Sequence, residues 1–254
     1  MKTQISLGFF MLMISFPMLL FAQQNRFDEA TYLLEESEYR EALEIYQEIE
    51  NEGHKSGALW LNMGIIYSEL DSPGMAKYYF MRASSYPETE QMAEESVSYL
   101  DSRFSRRSAV LPQLPWESFF GSLNSSLGVT GLFIIGLFFL NIAAGLLIAS
   151  WFYKNFGTIL KYSAAVFLAF SVLFLLSGGY IDYLNNRFGT GVMVEDRTQV
   201  YENPNTESTS VSTAYEGYQF QVDYHTSSET NGWNYVRMEN GLYGWINEET
   251  IRVF

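Results

Sequence analysis

The chain has 254 residues, of which 48% are hydrophobic and 17% aromatic, and its formal net charge is −14. This excess of acids disfavours nucleic-acid partners, because a protein that binds a phosphate backbone needs a basic surface to displace counterions. Cysteine is absent, which excludes disulfides, a lipid-modified cysteine anchor and thiolate metal sites.

Residues 1–22 have the layout of a secretory signal peptide. Lys2 precedes an uncharged stretch that runs through Phe21, and Ala22 supplies a small residue at the predicted cleavage site. The alternative is an uncleaved membrane anchor. Either segment would deliver residue 23 onward to the outer side of a membrane.

A helical repeat is predicted over residues 23–104. Ala42 and Ala76 are 34 residues apart, and Tyr46 and Phe80 have the same separation. A period of 34 residues is that of tetratricopeptide repeats, in which a small residue and an aromatic residue recur on the second helix of each unit. The segment is therefore predicted to be an all-α repeat unit.

The string Trp60-Leu-Asn-Met-Gly-Ile-Ile-Tyr67 resembles the first helix of a tetratricopeptide repeat. Two repeats are fewer than the three usually needed for a continuous core, so a further helix over 88–104 is expected to cover the end. The resemblance implies that the first helices line a concave face that binds partners. The side chains expected there are Phe27, Thr31, Leu61, Asn62, Ile65 and Glu69. The alternative is that several of them only pack in the core or only face water.

Two uncharged runs predict a two-helix transmembrane hairpin. Each is long enough to cross a bilayer core of about 30 Å, for which an α-helix needs about 20 residues. Neither run has a polar face, so a buried helix pair of a soluble protein is a poor alternative. The predicted segments are a Pro-containing linker and interfacial segment over 105–126, spans over 127–152 and 162–181, and a turn over 153–161.

The charges near the turn predict the orientation of the hairpin. Lys154 and Lys161 are the only charges in that region. Since loops with excess lysine stay in the cytoplasm, the turn is predicted inside and both flanking segments outside. Asn141, the one strongly polar residue of the first span, is expected to bond across to the second span.

Residues 192–254 predict a small all-β module, because short stretches rich in Tyr, Val and Thr alternate with turn signals. The strings Asn231-Gly-Trp-Asn-Tyr-Val-Arg237 and Gly241-Leu-Tyr-Gly-Trp-Ile246 resemble bacterial SH3 domains, which implies an SH3-like barrel. Its expected binding surface comprises Tyr201, Trp233, Tyr235 and Tyr243. For Trp245, a place in the core is at least as good an interpretation, with Gly244 needed where backbones approach.

Residues that carry chemistry are sparse. His54 and His225 lie in different modules, and no motif for binding nucleotide phosphates or for nucleophilic catalysis is present. We therefore expect no enzyme activity, no catalytic residues, no metal and no cofactor.

The order of signal, repeats, linker, two spans and SH3-like module resembles the BatE family of the Bacteroidetes aerotolerance operon, and the string Leu111-Pro-Gln-Leu-Pro-Trp116 strengthens the likeness. The resemblance implies a two-pass protein of the bacterial inner membrane with both soluble domains in the periplasm. It also implies partners among von Willebrand factor A-type membrane proteins, other Bat proteins and a MoxR-type ATPase. The expected function is a scaffold in envelope stress or aerotolerance. The alternative is a protein that binds or senses peptidoglycan through its SH3-like domain.

Overall fold

A computed structural model describes residues 25–104, 111 and 115–254. The predicted signal peptide and residues 105–110 and 112–114 of the predicted linker lie outside the described residues. The chain divides into two compact units. One contains the described residues up to Phe104, together with Thr190–Val222 and Thr230–Phe254. The other contains the described residues from Leu111 to Gly189, together with Asp223–Glu229.

The first unit begins with helices over the segment where the sequence predicts an all-α unit. Ser56 starts one of them by accepting a hydrogen bond from the backbone N–H of Leu59 at 3.1 Å, and Pro73 occupies the first turn of another. The helices are α1 over 25–35, α2 Tyr39–Asn51, α3 Gly57–Glu69, α4 Pro73–Ala83 and α5 Glu90–Arg103.

Small residues let these helices approach closely. A Cβ atom on Gly64 would lie 2.6 Å from the ring of Phe80, so α3 and α4 meet at that glycine. Ala42 and Ala76, the equivalent small positions of the two predicted repeats, are both 0% exposed. The 34-residue spacing thus marks core positions.

A polar cluster between α2, α3 and α4 joins the two helix pairs. Glu50 accepts hydrogen bonds from the indole N–H of Trp60 at 3.2 Å and from the hydroxyl of Tyr79 at 3.0 Å, and it pairs with Arg82. The guanidinium of Arg82 lies 3.9 Å from the centre of the Trp60 ring. Because every polar group of this cluster has a partner within it, the cluster is structural.

The C-terminal segment folds as an antiparallel sheet. Its strand order is β3-β2-β6-β5-β4-β1-β7, and Val200, Phe220, Val236 and Ile246 from four strands form the buried side. The elements are β1 Phe188–Met193, β2 Arg197–Tyr201, β3 Ser210–Tyr215, β4 Gln219–Asp223, a short helix α8 Tyr224–Ser227, β5 Trp233–Met238, β6 Tyr243–Asn247 and β7 Ile251–Val253.

The helices and the sheet of the first unit pack on each other, whereas the sequence predicts two separate modules. The backbone N–H of Gly74 donates to Glu216 at 2.8 Å, and the buried ammonium of Lys77 donates to the carbonyl of Gly217 at 2.9 Å. Lys77 also pairs with Asp101 of α5 at 2.6 Å. The sheet therefore contacts α4, and α5 alone does not cover the end of the helical stack.

The second unit contains two helices long and apolar enough to span a membrane, α6 Pro115–Phe152 and α7 Gly157–Arg187. A short 3-10 turn, Lys154–Phe156, joins them. Most of their buried positions are small and recur every seven residues, as in an antiparallel pair with a narrow seam. Those positions are Gly136, Ala143 and Ser150 in α6 and Gly157, Ala164, Ser171 and Gly178 in α7, and the larger Leu132 and Ile181 are buried as well.

The helical path of α6 is interrupted at Gly128, whose backbone is left-handed with φ 63°. The predicted boundary between interfacial segment and first span lies at residues 126–127. Before the interruption, the ring of Phe120 lies 4.9 Å from that of Tyr180, and Asn124 approaches Asn185. This segment packs against the last turns of α7 rather than extending freely from the hairpin.

The expectation that Asn141 bonds across to the second span is wrong. Its amide donates to the carbonyl of Leu137 in its own helix at 2.7 Å, and the side chain is exposed. Ala143, two residues further on, faces α7 and is 2% exposed. Because two residues turn an α-helix by about 200°, Asn141 points away from α7.

Candidate partner-binding surfaces

Aromatic side chains cover the outer side of strands β2, β5 and β6. Residues two apart in a strand share a face, so Trp233 with Tyr235 and Tyr243 with Trp245 project from the side opposite to the buried core. Ring centres of Tyr235 and Trp245 are 5.1 Å apart, and those of Tyr201 and Trp233 are 5.7 Å apart. We call Tyr201, Trp233, Tyr235, Tyr243 and Trp245 the aromatic face.

The aromatic face brings together the four residues predicted as the SH3-like surface and adds one. Tyr235 pairs with Trp245 in the register of β5 and β6, and Tyr201 of β2 pairs with Trp245 from the other side. The core interpretation of Trp245 is wrong, because its neighbours Gly244 and Ile246 are the buried residues while Trp245 is only half-buried. Strict strand alternation was the signal that could have placed it outside.

The chemistry of this surface suits flat or extended ligands. Tyr235 and Tyr243 stack nearly parallel, with 19° between their planes, and the guanidinium of Arg237 lies 5.6 Å from the Tyr243 ring centre. Exposed aromatic rings offer large apolar contact area at little cost in conformational entropy, and their polar edges can accept or donate hydrogen bonds. Extended peptides dock on aromatic-lined surfaces of this kind.

Several residues predicted to line the concave face of the helices instead form hydrogen bonds or packing contacts with the core. The amide of Asn62 donates to the hydroxyl of Tyr46 at 2.8 Å. That hydroxyl lies 2.9 Å from the hydroxyl of Thr31, which itself donates to the carbonyl of Phe27. Since the single proton of Thr31 is used on Phe27, Tyr46 donates to Thr31, and the four groups form one directed chain.

This chain makes Asn62 and Thr31 structural residues. Tyr46 is 0% exposed, and burial raises the pKa of its hydroxyl, which keeps the proton that the chain requires. The ring of Phe27 packs edge-on against Tyr46 at 5.4 Å. Leu61, expected on the surface, is 7% exposed and belongs to the core.

Ile65 and Glu69, the remaining predicted residues, line a groove between α3 and α5 of about 330 Å³. The other wall is α5, whose Met92 and Tyr99 are 57% and 58% exposed. The sequence interpretation assigned these apolar positions of α5 to capping alone. Glu69 and Glu95 give the groove an acidic rim.

Within the described residues, no group of three or more histidine and carboxylate side chains could hold a metal ion. His225 lines a cavity of about 500 Å³ in the second unit with Tyr183 and Arg187. Arg187 is bound there to Asp223 at 2.9 Å and to the hydroxyl of Tyr183.

Comparison of the sequence with protein-family models gave no match, and comparison with curated protein sequences gave none.

Proposed function

We propose that this chain is a membrane-anchored scaffold that binds protein partners on the outer side of a bacterial inner membrane. Helices α6 and α7 are its anchor, and the first unit carries its binding surfaces. The aromatic face is the observation that carries the proposal. A half-buried cluster of five aromatic rings on one side of a small sheet is a typical docking surface and has no use in the core.

Two observations support the anchor. Only 17% and 11% of the most apolar stretches of the two helices are buried, whereas the core helices of a soluble protein would be mostly covered. Both helices also lie far from the N-terminus, so neither is a signal sequence. Apolar helices that remain uncovered within the described chain are best accommodated by lipid.

Charge and the packing of the first unit support the proposed orientation. Lys154 and Lys161 favour a cytoplasmic turn. The helices and the sheet of the first unit precede and follow the hairpin in the chain, yet they contact each other through Lys77 and Gly217. Two segments in contact lie on the same side of a bilayer, which supports a hairpin with both soluble segments in the periplasm.

The partner chemistry favours other proteins. The aromatic face offers tyrosine and tryptophan rings beside the guanidinium of Arg237, and the groove beside α5 is apolar with an acidic rim, so both suit exposed segments of polypeptide. The resemblance to BatE proteins suggests von Willebrand factor A-type membrane proteins and other Bat proteins as partners, in envelope stress or aerotolerance.

Affinity recovery of the tagged full chain from mild detergent tests the proposal. Wild type is compared with Trp233→Ala, with Met92→Ala in the groove, and with Tyr32→Ala as a control, since Tyr32 is 61% exposed on α1. We expect discrete membrane proteins with wild type and the control, and their loss with Trp233→Ala. If neither Trp233→Ala nor Met92→Ala reduces the recovery of partner proteins, a scaffold that uses these surfaces is contradicted.

A second function, binding of peptidoglycan, is favoured by the same aromatic face, because aromatic rings also pack against the apolar faces of sugar rings. Sedimentation of the solubilised chain with purified sacculi distinguishes the two. Loss of sacculus binding in Trp233→Ala without loss of protein partners would favour the wall-binding function.

A further inference from the structure

The side of α6 that faces away from α7 carries a second seven-residue pattern. Spacings of three and four residues alternate along it, as in the contact seam of a left-handed pair of helices. Every position is exposed in the described chain. The residues, which we call the outer seam, are Thr130, Ile134, Leu137, Asn141, Ala144, Ile148 and Trp151.

Asn141 distinguishes the outer seam from an ordinary lipid-facing surface. Its bond to Leu137 uses one amide hydrogen, and among the described residues the side chain has no other hydrogen-bond partner. The second amide hydrogen and the amide oxygen therefore face an apolar surrounding, where unpaired polar groups are costly. By contrast, the exposed positions of α7 between residues 165 and 176 are all apolar.

The surroundings of Asn141 permit a close approach by another helix. Ala144 lies next along the seam, and Gly145 beside it has no atom within 4 Å of where a Cβ would be. Small residues beside an interhelical amide allow backbones to come close enough for the amide to bond across. Ala143, on the opposite side of α6, already contacts α7, so this second contact leaves the hairpin intact.

We propose that the outer seam pairs α6 of one copy with α6 of a second copy, with Asn141 opposite Asn141. The proposal rests on the proposed membrane insertion of the hairpin. Two copies inserted in the same orientation have parallel α6 helices, and a two-fold axis then places residue 141 of each opposite the other. An amide is both donor and acceptor, so two copies satisfy each other, and an asparagine at such a position is known to fix register and oligomeric state in helix pairs.

Oxidative crosslinking of single-cysteine variants of the full chain in native membranes tests this pairing, because the natural sequence contains no cysteine. Ala144→Cys reports on the outer seam. Val172→Cys, on the exposed side of α7, is the control. We expect a disulfide-linked dimer of twice the chain mass with Ala144→Cys and little with Val172→Cys.

Adding Asn141→Leu to the Ala144→Cys chain tests the amide itself. Interhelical amide bonds in membranes contribute about 1–2 kcal/mol in model peptides, so we expect the dimerisation constant to fall roughly fivefold to thirtyfold. Asn141→Gln, which keeps an amide, should retain more dimer than Asn141→Leu. Leucine favours insertion, so a lower yield does not reflect failed insertion.

Carbonate extraction of the same membranes separates the possible failures. A chain released by carbonate would contradict the proposed anchor. For a chain that is retained in the membrane, three results would overturn the self-pairing alone. The first is equal crosslinking at positions 144 and 172, and the second is crosslinking at 144 only to a protein of different mass. The third is a dimer that Asn141→Leu does not weaken.

Discussion

The contact between helices and sheet in the first unit depends on an ion pair with unequal burial. The side chain of Lys77 is 5% exposed, whereas that of Asp101 is 40% exposed. Removing Asp101 leaves the buried ammonium with its bond to Gly217 and only the longer-range attraction of Glu239, but removing Lys77 leaves a carboxylate at Asp101 that water can reach. The two substitutions should therefore differ in cost, although they break the same pair.

The structure sets the size of each effect. Stranding one charge of a buried pair costs about 3–5 kcal/mol. Because Asp101 is partly exposed and Lys77 keeps its bond to Gly217, we expect Asp101→Ala to cost less than this, about 2–3 kcal/mol. Lys77→Met keeps most of the apolar contact and loses the bond to Gly217, at about 1 kcal/mol. The double variant contains no stranded ammonium, so it should be more stable than Asp101→Ala alone.

Thermal unfolding of the detergent-solubilised full chain, followed by tryptophan fluorescence, measures these differences. Glu94→Ala on the exposed side of α5 and Lys55→Met, also exposed, are the matched controls and should leave the transition unchanged. If Asp101→Ala is no more destabilising than Lys77→Met, burial does not set the cost of losing each partner. A double variant whose loss equals the sum of the two single losses would contradict the stranded ammonium in the same way.

Three further changes test other parts of the structure. Burial raises the pKa of Glu216, so the folded state holds this proton more tightly and the carboxyl's contribution to stability falls as pH rises from the ordinary carboxyl pKa to the raised value. Glu216→Gln keeps an acceptor for Gly74 and should raise the melting temperature at neutral pH relative to wild type, with little gain at pH 4. An equal rise in melting temperature at both pH values would exclude titration of Glu216 as its cause. A Cβ on Gly136 would lie 2.8 Å from a leucine side chain of α7, so Gly136→Leu should destabilise the hairpin by about 1–3 kcal/mol, whereas Gly179→Leu, with open space around it, should not, as detergent melting would reveal. Ala76→Leu should lower the stability of the first unit by a similar amount. Because helices and sheet form one unit, it should also shift the fluorescence of the sheet's tryptophans. Unchanged protease resistance would contradict the packing at Ala76.

Periodic features could be predicted from the sequence. The spacing of Ala42 and Ala76 marked the helical core, and the two apolar runs marked α6 and α7. The same reasoning could have placed Asn141 correctly. Gly136, Ala143 and Ser150 recur every seven residues as the small face of α6, and a residue two before Ala143 lies on the opposite side.

The joining of helices and sheet could not be predicted, because it depends on single residues without a periodic signal. A lysine in a helix ordinarily indicates a solvated position, yet Lys77 is buried. Gly74 gives no helical signal at all, but a Cβ there would lie 2.6 Å from the backbone carbonyl of Met193. The hydroxyl of Tyr46 likewise holds Asn62 and Thr31, both expected on the surface, as partly buried residues with structural hydrogen bonds, through contacts distant in sequence.

The packing of the first unit explains how a stack of only five helices can be covered at its end. A stack of helix pairs leaves an apolar end that a further repeat or a capping helix normally covers. Here α5 covers part of α4, and the sheet contacts α4 through Gly74, Lys77 and the ring of Tyr78, which packs against Phe254 at 5.6 Å. The sheet follows both long helices in the chain, so the segment that covers the helical stack is synthesised last, after the hairpin. A hairpin in the membrane would return the chain to the side it left, which is the condition that this late contact requires.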